Sequence, residues 1–258
     1  MYPNPLKKKL QSGEVILGTG GIVGPSPHLV GAIINTDPDF LWIDTEHMHF
    51  GAEALESVCV IARQRGVAPM IRVAWNDPAL IKKAYDVGAV AVMVPQVDDK
   101  EAAAHAVNCA LYPPQGNRGI SPMWTLIAGE DWNHVITTAN EETLLIVQLE
   151  SATAYENLDE IKQVEGIDVI LVGPLDLSAS LGKMGDTGCR EVQEIMEDVP
   201  RRLEGTGIAA GTTLMDVAEI QEKVRWGYRY LNVGSAIGYG TQVLKGHLET
   251  LRANPKGE

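Results

Sequence analysis

A (β/α)8 barrel is the fold class this sequence predicts, and three observations predict it. Short apolar runs of strand length alternate with amphipathic helical windows along the whole chain, the pattern of a parallel sheet with crossover helices. Eight such runs can be marked in 258 residues, and a barrel of eight units takes roughly 250. Several runs are apolar at nearly every position, as in Leu144-Leu145-Ile146-Val147, which suits strands covered on both faces. The chain reads as one domain over residues 1–258, without linker, low-complexity tract or sequence repeat.

The elements follow in order. Val15-Ile16-Leu17-Gly18 precedes a helix from about Pro27, and Phe40-Leu41-Trp42-Ile43-Asp44 precedes one from about Glu53. Pro69-Met70-Ile71-Arg72-Val73 leads to Asn76-Asp77-Pro78, where an N-cap and a proline in the first turn start a helix toward Asp86. Ala91-Val92-Met93-Val94-Pro95 is followed by a helix over Lys100 to Leu111. Leu144 to Leu149 and Asp168 to Val172 are the fifth and sixth strands, Ile208 to Gly211 and Tyr230 to Gly234 the last two, and a helix over Thr241 to Arg252 closes the chain. The connection from Pro95 to Leu144 is about twice a single crossover. Long loops on the C-terminal face of a barrel shape substrate sites, so the segment around Trp124 is expected to be a specificity loop, the plainer alternative being a surface excursion.

Composition narrows the function. Thirty-four acidic residues against 21 basic ones give a formal charge of −13, which repels nucleic-acid phosphates and anionic membranes. Cys59, Cys109 and Cys189 are widely spaced and odd in number, so they read as free thiols of a reducing compartment. No apolar h-region follows Lys7-Lys8-Lys9, and no run of about 18 apolar residues occurs. The expected location is the cytoplasm, with neither nucleic acid nor membrane as a partner.

Catalytic groups of such a barrel come from the C-terminal ends of its strands. There the sequence places Asp44-Thr45-Glu46-His47 after the second strand, Arg72 at the third, Gln148 and Glu150 at the fifth, and Asp176 after the sixth. Glu150 and Asp176 are 26 positions apart, close to the roughly 30 residues of one unit, so they belong to adjacent strands. Each residue alone has a plainer role open to it: Asp44 as a helix cap, Arg72 as a structural ion pair, His47 as a surface imidazole. Together, a cation, an imidazole and two acids on one rim point to chemistry. Two carboxylates without His or Cys at ligand spacing form an all-oxygen set suited to Mg²⁺ or Mn²⁺, with Co²⁺ as a third option. Such an ion can polarise the ketone of a 2-oxo acid. Arg72 would neutralise charge developing on the same oxygen, and His47 would shuttle a proton. Gln148 and the turn Gly173-Pro174-Leu175-Asp176, through backbone N–H groups, are candidate substrate contacts together with Trp124.

Four ordered motifs carry a resemblance: Ile43-Asp44-Thr45-Glu46-His47, Ile71-Arg72-Val73-Ala74-Trp75-Asn76-Asp77-Pro78, Val147-Gln148-Leu149-Glu150 and Val172-Gly173-Pro174-Leu175-Asp176-Leu177-Ser178. They resemble those of the HpcH/HpaI aldolase family, metal-dependent pyruvate aldolases related to the citrate lyase β-subunit, and the likeness runs from about Leu17 to Leu251. The resemblance implies a barrel of the phosphoenolpyruvate/pyruvate type and a class II aldolase that reversibly cleaves 4-hydroxy-2-oxo acids to pyruvate or hydroxypyruvate and an aldehyde. Aromatic-compound catabolism is one setting it implies. It carries metal binding onto Glu150 and Asp176, enolate stabilisation onto Arg72 and acid/base work onto His47. It also pairs His47 with Asp86. Since Asp86 ends the helix after the third strand, toward the opposite rim, it is expected to serve a neighbouring subunit. The implied assembly is a homo-oligomer, a hexamer built as a trimer of dimers with exchanged C-terminal helices.

Departures from the family pattern concern the acceptor aldehyde. Thr45 stands where the family often has Gly, Met48-His49-Phe50 replaces a small or Pro-containing segment, and the loop Ser121 to Asp131 differs from that of dicarboxylate-handling members. His49 reads as a surface residue. Among rivals, Gly18-Thr19-Gly20-Gly21-Ile22-Val23-Gly24 suggests a dinucleotide loop, but Val23 occupies a glycine position and prolines crowd the helix start. A Schiff-base aldolase needs a strand lysine, and no strand candidate contains one. A CoA-ester lyase of the citrate lyase β/malyl-CoA type remains the enzymatic alternative, and an oxo-acid-binding barrel without turnover the non-enzymatic one.

Overall fold

The computed structural model describes residues 2–20 and 26–254. In chain order α1 (Pro5–Gln11), β1 (Ile16–Gly20), α2 (Pro27–Ile34), β2 (Phe40–Asp44), α3 (Ala52–Gln64), β3 (Ala68–Arg72), α4 (Pro78–Asp86), β4 (Ala91–Val94) and α5 (Lys100–Ala110) form the first half. α6 (Trp124–Ala128), α7 (Trp132–Glu142), β5 (Leu144–Leu149), α8 (Ala152–Glu156), α9 (Leu158–Ile161), β6 (Val169–Val172) and α10 (Pro174–Ser180) follow. α11 (Arg190–Leu203), β7 (Ala209–Leu214), α12 (Val217–Trp226), β8 (Tyr230–Ser235) and α13 (Ala236–Ala253) complete the chain. The strands close as β1-β2-β3-β4-β5-β6-β7-β8, all parallel, with the seam made by Ile16 beside Tyr230 and Leu17 beside Leu231. This is a TIM (β/α)8 barrel. The closed sheet overturns the dinucleotide-fold alternative; residues 21–24 of its glycine stretch lie outside the described residues.

Alternation along each strand divides the core in two. Ile16, Phe40, Met70, Met93, Ile146, Leu171 and Tyr230 pack in the barrel interior. Leu41, Ile43, Ile71, Val92, Val147 and Ile170 face the helices. Phe40 and Tyr230 stack with centroids 4.4 Å apart, and Gly18 makes room for that ring: a Cβ there would fall 2.3 Å from Phe40. α1, which the sequence reading did not foresee, puts Leu6 into this inner cluster. Its cap Asn4 accepts from the Leu6 and Lys7 amides and donates to Val90 O at 3.0 Å and Glu142 O at 2.8 Å. It therefore closes the N-terminal end of the barrel, and the C-terminal end carries the polar strand ends.

Two outer features matter below. β7 runs to Leu214, beyond the expected end, because Thr213 and Leu214 pair with Asn232 and Val233 of β8. α13 starts at Ala236, capped by the Ser235 hydroxyl, and none of its residues is buried. No helix among the described residues is long and apolar enough to cross a membrane.

Candidate active site

The β2 and β3 ends build the cationic part of the site. Asp44 and Arg72 are register partners, and their side chains meet as a fork: Arg72 Nε donates to Asp44 Oδ1 at 2.9 Å and Nη2 to Oδ2 at 2.6 Å. Arg72 Nη1 lies 2.8 Å from Glu46 Oε2. The guanidinium also sits over the Trp42 ring, 5.1 Å from its centroid. Two nitrogens are thus hydrogen-bonded to Asp44 and the third is ion-paired with Glu46, a geometry that lysine cannot copy. His47 Nε2 is 3.6 Å from the same Glu46 oxygen, with the imidazole 65% exposed, so it can exchange protons with solvent or substrate. Burial raises the Glu46 carboxyl above its ordinary range, against the opposing pull of Arg72 and His47.

The β5 and β6 ends build the acidic part. Glu150 directly follows β5 and is buried. Its Oε1 accepts from the backbone N–H of Gln96 at 2.7 Å, and its Oε2 accepts from Gln148 Nε2 at 2.8 Å. Gln96 reaches that position with a left-handed backbone, φ 52°. Burial pushes the Glu150 carboxyl up to about 7, with Asp176 and Glu46 adding repulsion and the Gln96 amide and Arg72 opposing it. Asp176 stands in the first turn of α10 and is exposed. Gly173 leaves room for the Glu150 side chain: a Cβ there would lie 3.1 Å from Glu150 Cβ and Oε2. Gln148 Oε1, in contrast, is buried without a hydrogen-bond partner.

His47, Arg72, Gln148, Glu150, Gly173, Pro174, Leu175 and Asp176 therefore lie on the strand-end rim anticipated from the sequence. Asp86 and Trp124 do not join them. Asp86 is the last residue of α4, near Arg118, and burial lifts its carboxyl to about 6. The expectation that Trp124 arches over the C-terminal face of its own barrel is corrected: α5 has already carried the chain back before that loop begins. Trp124 is buried, with the Arg63 guanidinium 4.0 Å above its ring and Tyr2 at 6.1 Å. It lines a cavity with Asn4, Val90 and Thr143, residues of the N-terminal rim. Asp44 and Glu46, named from the sequence only as strand-end acids, prove to be structural partners of Arg72, and Gln96, not singled out there, a partner of Glu150. The two acids flanking Thr45 were a readable signal; the Gln96 contact had none.

The sequence model of the HpcH/HpaI aldolase/citrate lyase family matches residues 22–240. The chain belongs to this family. A 2-keto-3-deoxy-L-rhamnonate aldolase of Klebsiella pneumoniae is 34% identical over 257 residues, covering 98% of this chain and 95% of the relative. The crystal structure of an HpcH/HpaI aldolase/citrate lyase family protein from Burkholderia cenocepacia superposes with a TM-score of 0.89 at 30% identity, covering 96% of this chain and 99% of that one. An HpcH/HpaI aldolase from Desulfitobacterium hafniense gives 0.87 at 29%, covering 95% and 96%. This HpcH/HpaI family member is an enzyme, a carbon–carbon lyase of the aldolase type.

A divalent cation fits the acidic part of the site. The donor set there is all oxygen: the exposed Asp176 carboxylate, the Glu150 carboxyl, raised to about 7 chiefly by burial, and at the same strand end the Gln148 amide oxygen, buried without a partner. An ion held by these two carboxylates would keep positions open for substrate and water, as catalytic oxygen-ligand sites do.

Proposed function

We propose that this protein is a class II aldolase that cleaves 4-hydroxy-2-oxo acids reversibly to pyruvate and an aldehyde, with Mg²⁺ or Mn²⁺ held by Glu150 and Asp176. The observation that carries the reading is the shared strand-end rim: Arg72 held in a fork by Asp44, and Glu150 held by the Gln96 amide and Gln148, with Asp176 in the first turn of the helix that follows β6. When bound, the ion supplies Lewis-acid polarisation of the oxo-acid ketone. Arg72, preorganised by Asp44 and Glu46, offers fixed positive charge to the oxygen on which the enolate forms. Gln148 keeps Glu150 in place through Nε2. The backbone N–H groups of Leu175 and Asp176, in the first turn of α10, bind the substrate carboxylate. His47 takes the proton from the C4 hydroxyl and returns one to the enolate carbon. The name of the curated relatives, for a deoxy sugar acid, favours a hydroxylated aldehyde product and the aldolase over a CoA-ester lyase.

The same proposal extends to assembly. α13 exposes Val243, Leu244, Leu248 and Leu251, while an apolar groove beside β1, β8 and α12 is lined by Val15, Leu17, Val217, Ile220, Val224 and Val233. We infer that α13 crosses to the groove of a second copy, within a trimer of dimers, and that Asp86 of the partner subunit completes the dyad with His47. Free cysteines suit a cytoplasmic setting.

Incubating the protein with pyruvate and glycolaldehyde tests the activity. Aldol product should form with added Mg²⁺ or Mn²⁺ and vanish with EDTA; turnover that survives chelation defeats the metal reading.

A further inference from the structure

Asn232 is out of place in its strand. β8 reads Tyr-Leu-Asn-Val-Gly-Ser, and asparagine is depleted in strands because its side chain competes for backbone hydrogen bonds. Strand alternation decides where it points. Tyr230 packs in the barrel interior against Phe40, so Asn232, two residues on, also faces inward, one layer nearer the C-terminal mouth. Its register partner on β7, Thr213, is likewise inward. Below this layer the interior is apolar; at this layer the β7–β8 side carries an amide and a hydroxyl.

The amide is held and only half used. Asn232 Nδ2 donates to Thr213 Oγ1 at 2.9 Å and more weakly to Gly234 O at 3.4 Å. Those bonds fix the side chain with Oδ1 turned the other way. Asn232 is 6% exposed, and Oδ1 has no hydrogen-bond partner. It borders the space left by the missing side chain of Gly20, where a Cβ would sit 3.1 Å both from Oδ1 and from Trp42 Cβ. Trp42 in turn supports Arg72. The orphaned oxygen is thus linked to the guanidinium through Trp42. Buried acceptors are almost always satisfied by protein, water or ligand, and an amide oxygen held by its own NH2 requires a donor.

We propose that Asn232 is a specificity-determining residue, positioned by Thr213, that accepts a hydrogen bond from a hydroxyl group of the substrate. This rests on the aldolase reading of the site and deepens it: the hydroxyl belongs either to the oxo-acid donor, as in hydroxypyruvate, or to the acceptor aldehyde. A site that pairs a buried acceptor with a substrate hydroxyl rejects the analogue lacking it, because the acceptor is then left unmet.

The test compares kcat/KM in Mg²⁺ for pyruvate and hydroxypyruvate, each with acetaldehyde and glycolaldehyde, in wild type, Asn232→Ala and Thr213→Val. Wild type should prefer a hydroxyl-bearing reactant by about tenfold or more; the pair that shows the preference identifies the donor or the acceptor as its source. Asn232→Ala should bring that preference to near unity, chiefly through KM of the hydroxylated reactant, and Thr213→Val should weaken it. No preference in wild type, or an equal fall in all four combinations, overturns the proposal and leaves Oδ1 to a water molecule. If Asn232→Ala does not fold, Thr213→Val decides by the same ratio. If no combination turns over, the aldolase reading fails by itself. Calorimetric titration of wild type and Thr213→Val with the four compounds then decides: equal affinity for each hydroxylated compound and its counterpart overturns the inference, and a wild-type preference that the variant weakens supports it.

Discussion

Asp44 and Arg72 face each other across the β2–β3 seam as a two-bond fork, with Nε to Oδ1 at 2.9 Å and Nη2 to Oδ2 at 2.6 Å. The pair is mostly buried, at 11% and 13% side-chain exposure, so Arg72 arrives at the site already oriented. Preorganised charge of this kind is worth most where water is excluded. Arg72→Lys keeps the charge and loses the fork, and kcat should fall by roughly 10²-fold or more while calorimetry still detects Mg²⁺ binding. Wild-type turnover in that variant would remove Arg72 from its assigned role.

Glu150→Gln and Asp176→Asn keep the shape of the acidic site and delete one charge each. Neither variant should bind Mg²⁺ at concentrations that saturate wild type, and both should lack metal-dependent turnover. Undiminished binding in either variant rejects that residue as a ligand.

The raised Glu150 carboxyl makes metal binding depend on pH. With the carboxyl raised to about 7, about half of the metal-free molecules hold a proton there at neutral pH, and a metal ligand must give that proton up. Mg²⁺ affinity should therefore rise with pH through about 7 and level off above, falling by up to about tenfold per unit below it. For the metal-free fold the sign is opposite. The folded pKa lies above the unfolded value, so stability from this group is greatest in acid and declines as pH rises from the ordinary carboxylate range to about 7. Titration calorimetry at several pH values measures the first trend and denaturant melts with EDTA the second.

The proposed exchange of α13, which exposes Leu244 and Leu248 at 57% and 41%, predicts an effect on mass in solution. Changing both to Glu should shift the protein to smaller species in light scattering, since a charge cannot enter an apolar groove unpaired. An unchanged oligomer would show that α13 is not exchanged.

Trp124 packs under Arg63 on the N-terminal rim, so its substitution should act on stability. Trp124→Ala should cost about 3–5 kcal/mol in urea melts, as truncation of a buried aromatic does. A loss well below 1 kcal/mol would show that the ring is not part of the core.

Much of the site was legible because it sits where local pattern is strongest. Glu150 and Asp176 follow apolar strands without ambiguity, and Arg72 ends a strand whose period is clear. Asp44 and Glu46 stood in plain view, yet their shared grip on Arg72 depends on the Phe40-to-Asp44 strand lying against Ala68-to-Arg72 in one register. The excursion around Trp124 lies on the rim opposite to the expected one, because a long connection announces its length but not its side of the barrel. The position of α5, directly after β4, was the signal that sets the side.

By itself the sequence determined eight strands, their parallel order and the acids and cations at their C-terminal ends, because hydrophobic period and chain length are local properties that sterics and burial translate directly into elements. Only the tertiary structure decided that Gln96 offers its amide to Glu150, that Asn232 turns an unmet oxygen toward the barrel floor beside Trp42, and that α13 leaves its apolar face unburied. The first two depend on which strands become neighbours when the barrel closes, since closure brings together residues such as Gly20 and Asn232 that are far apart in the chain.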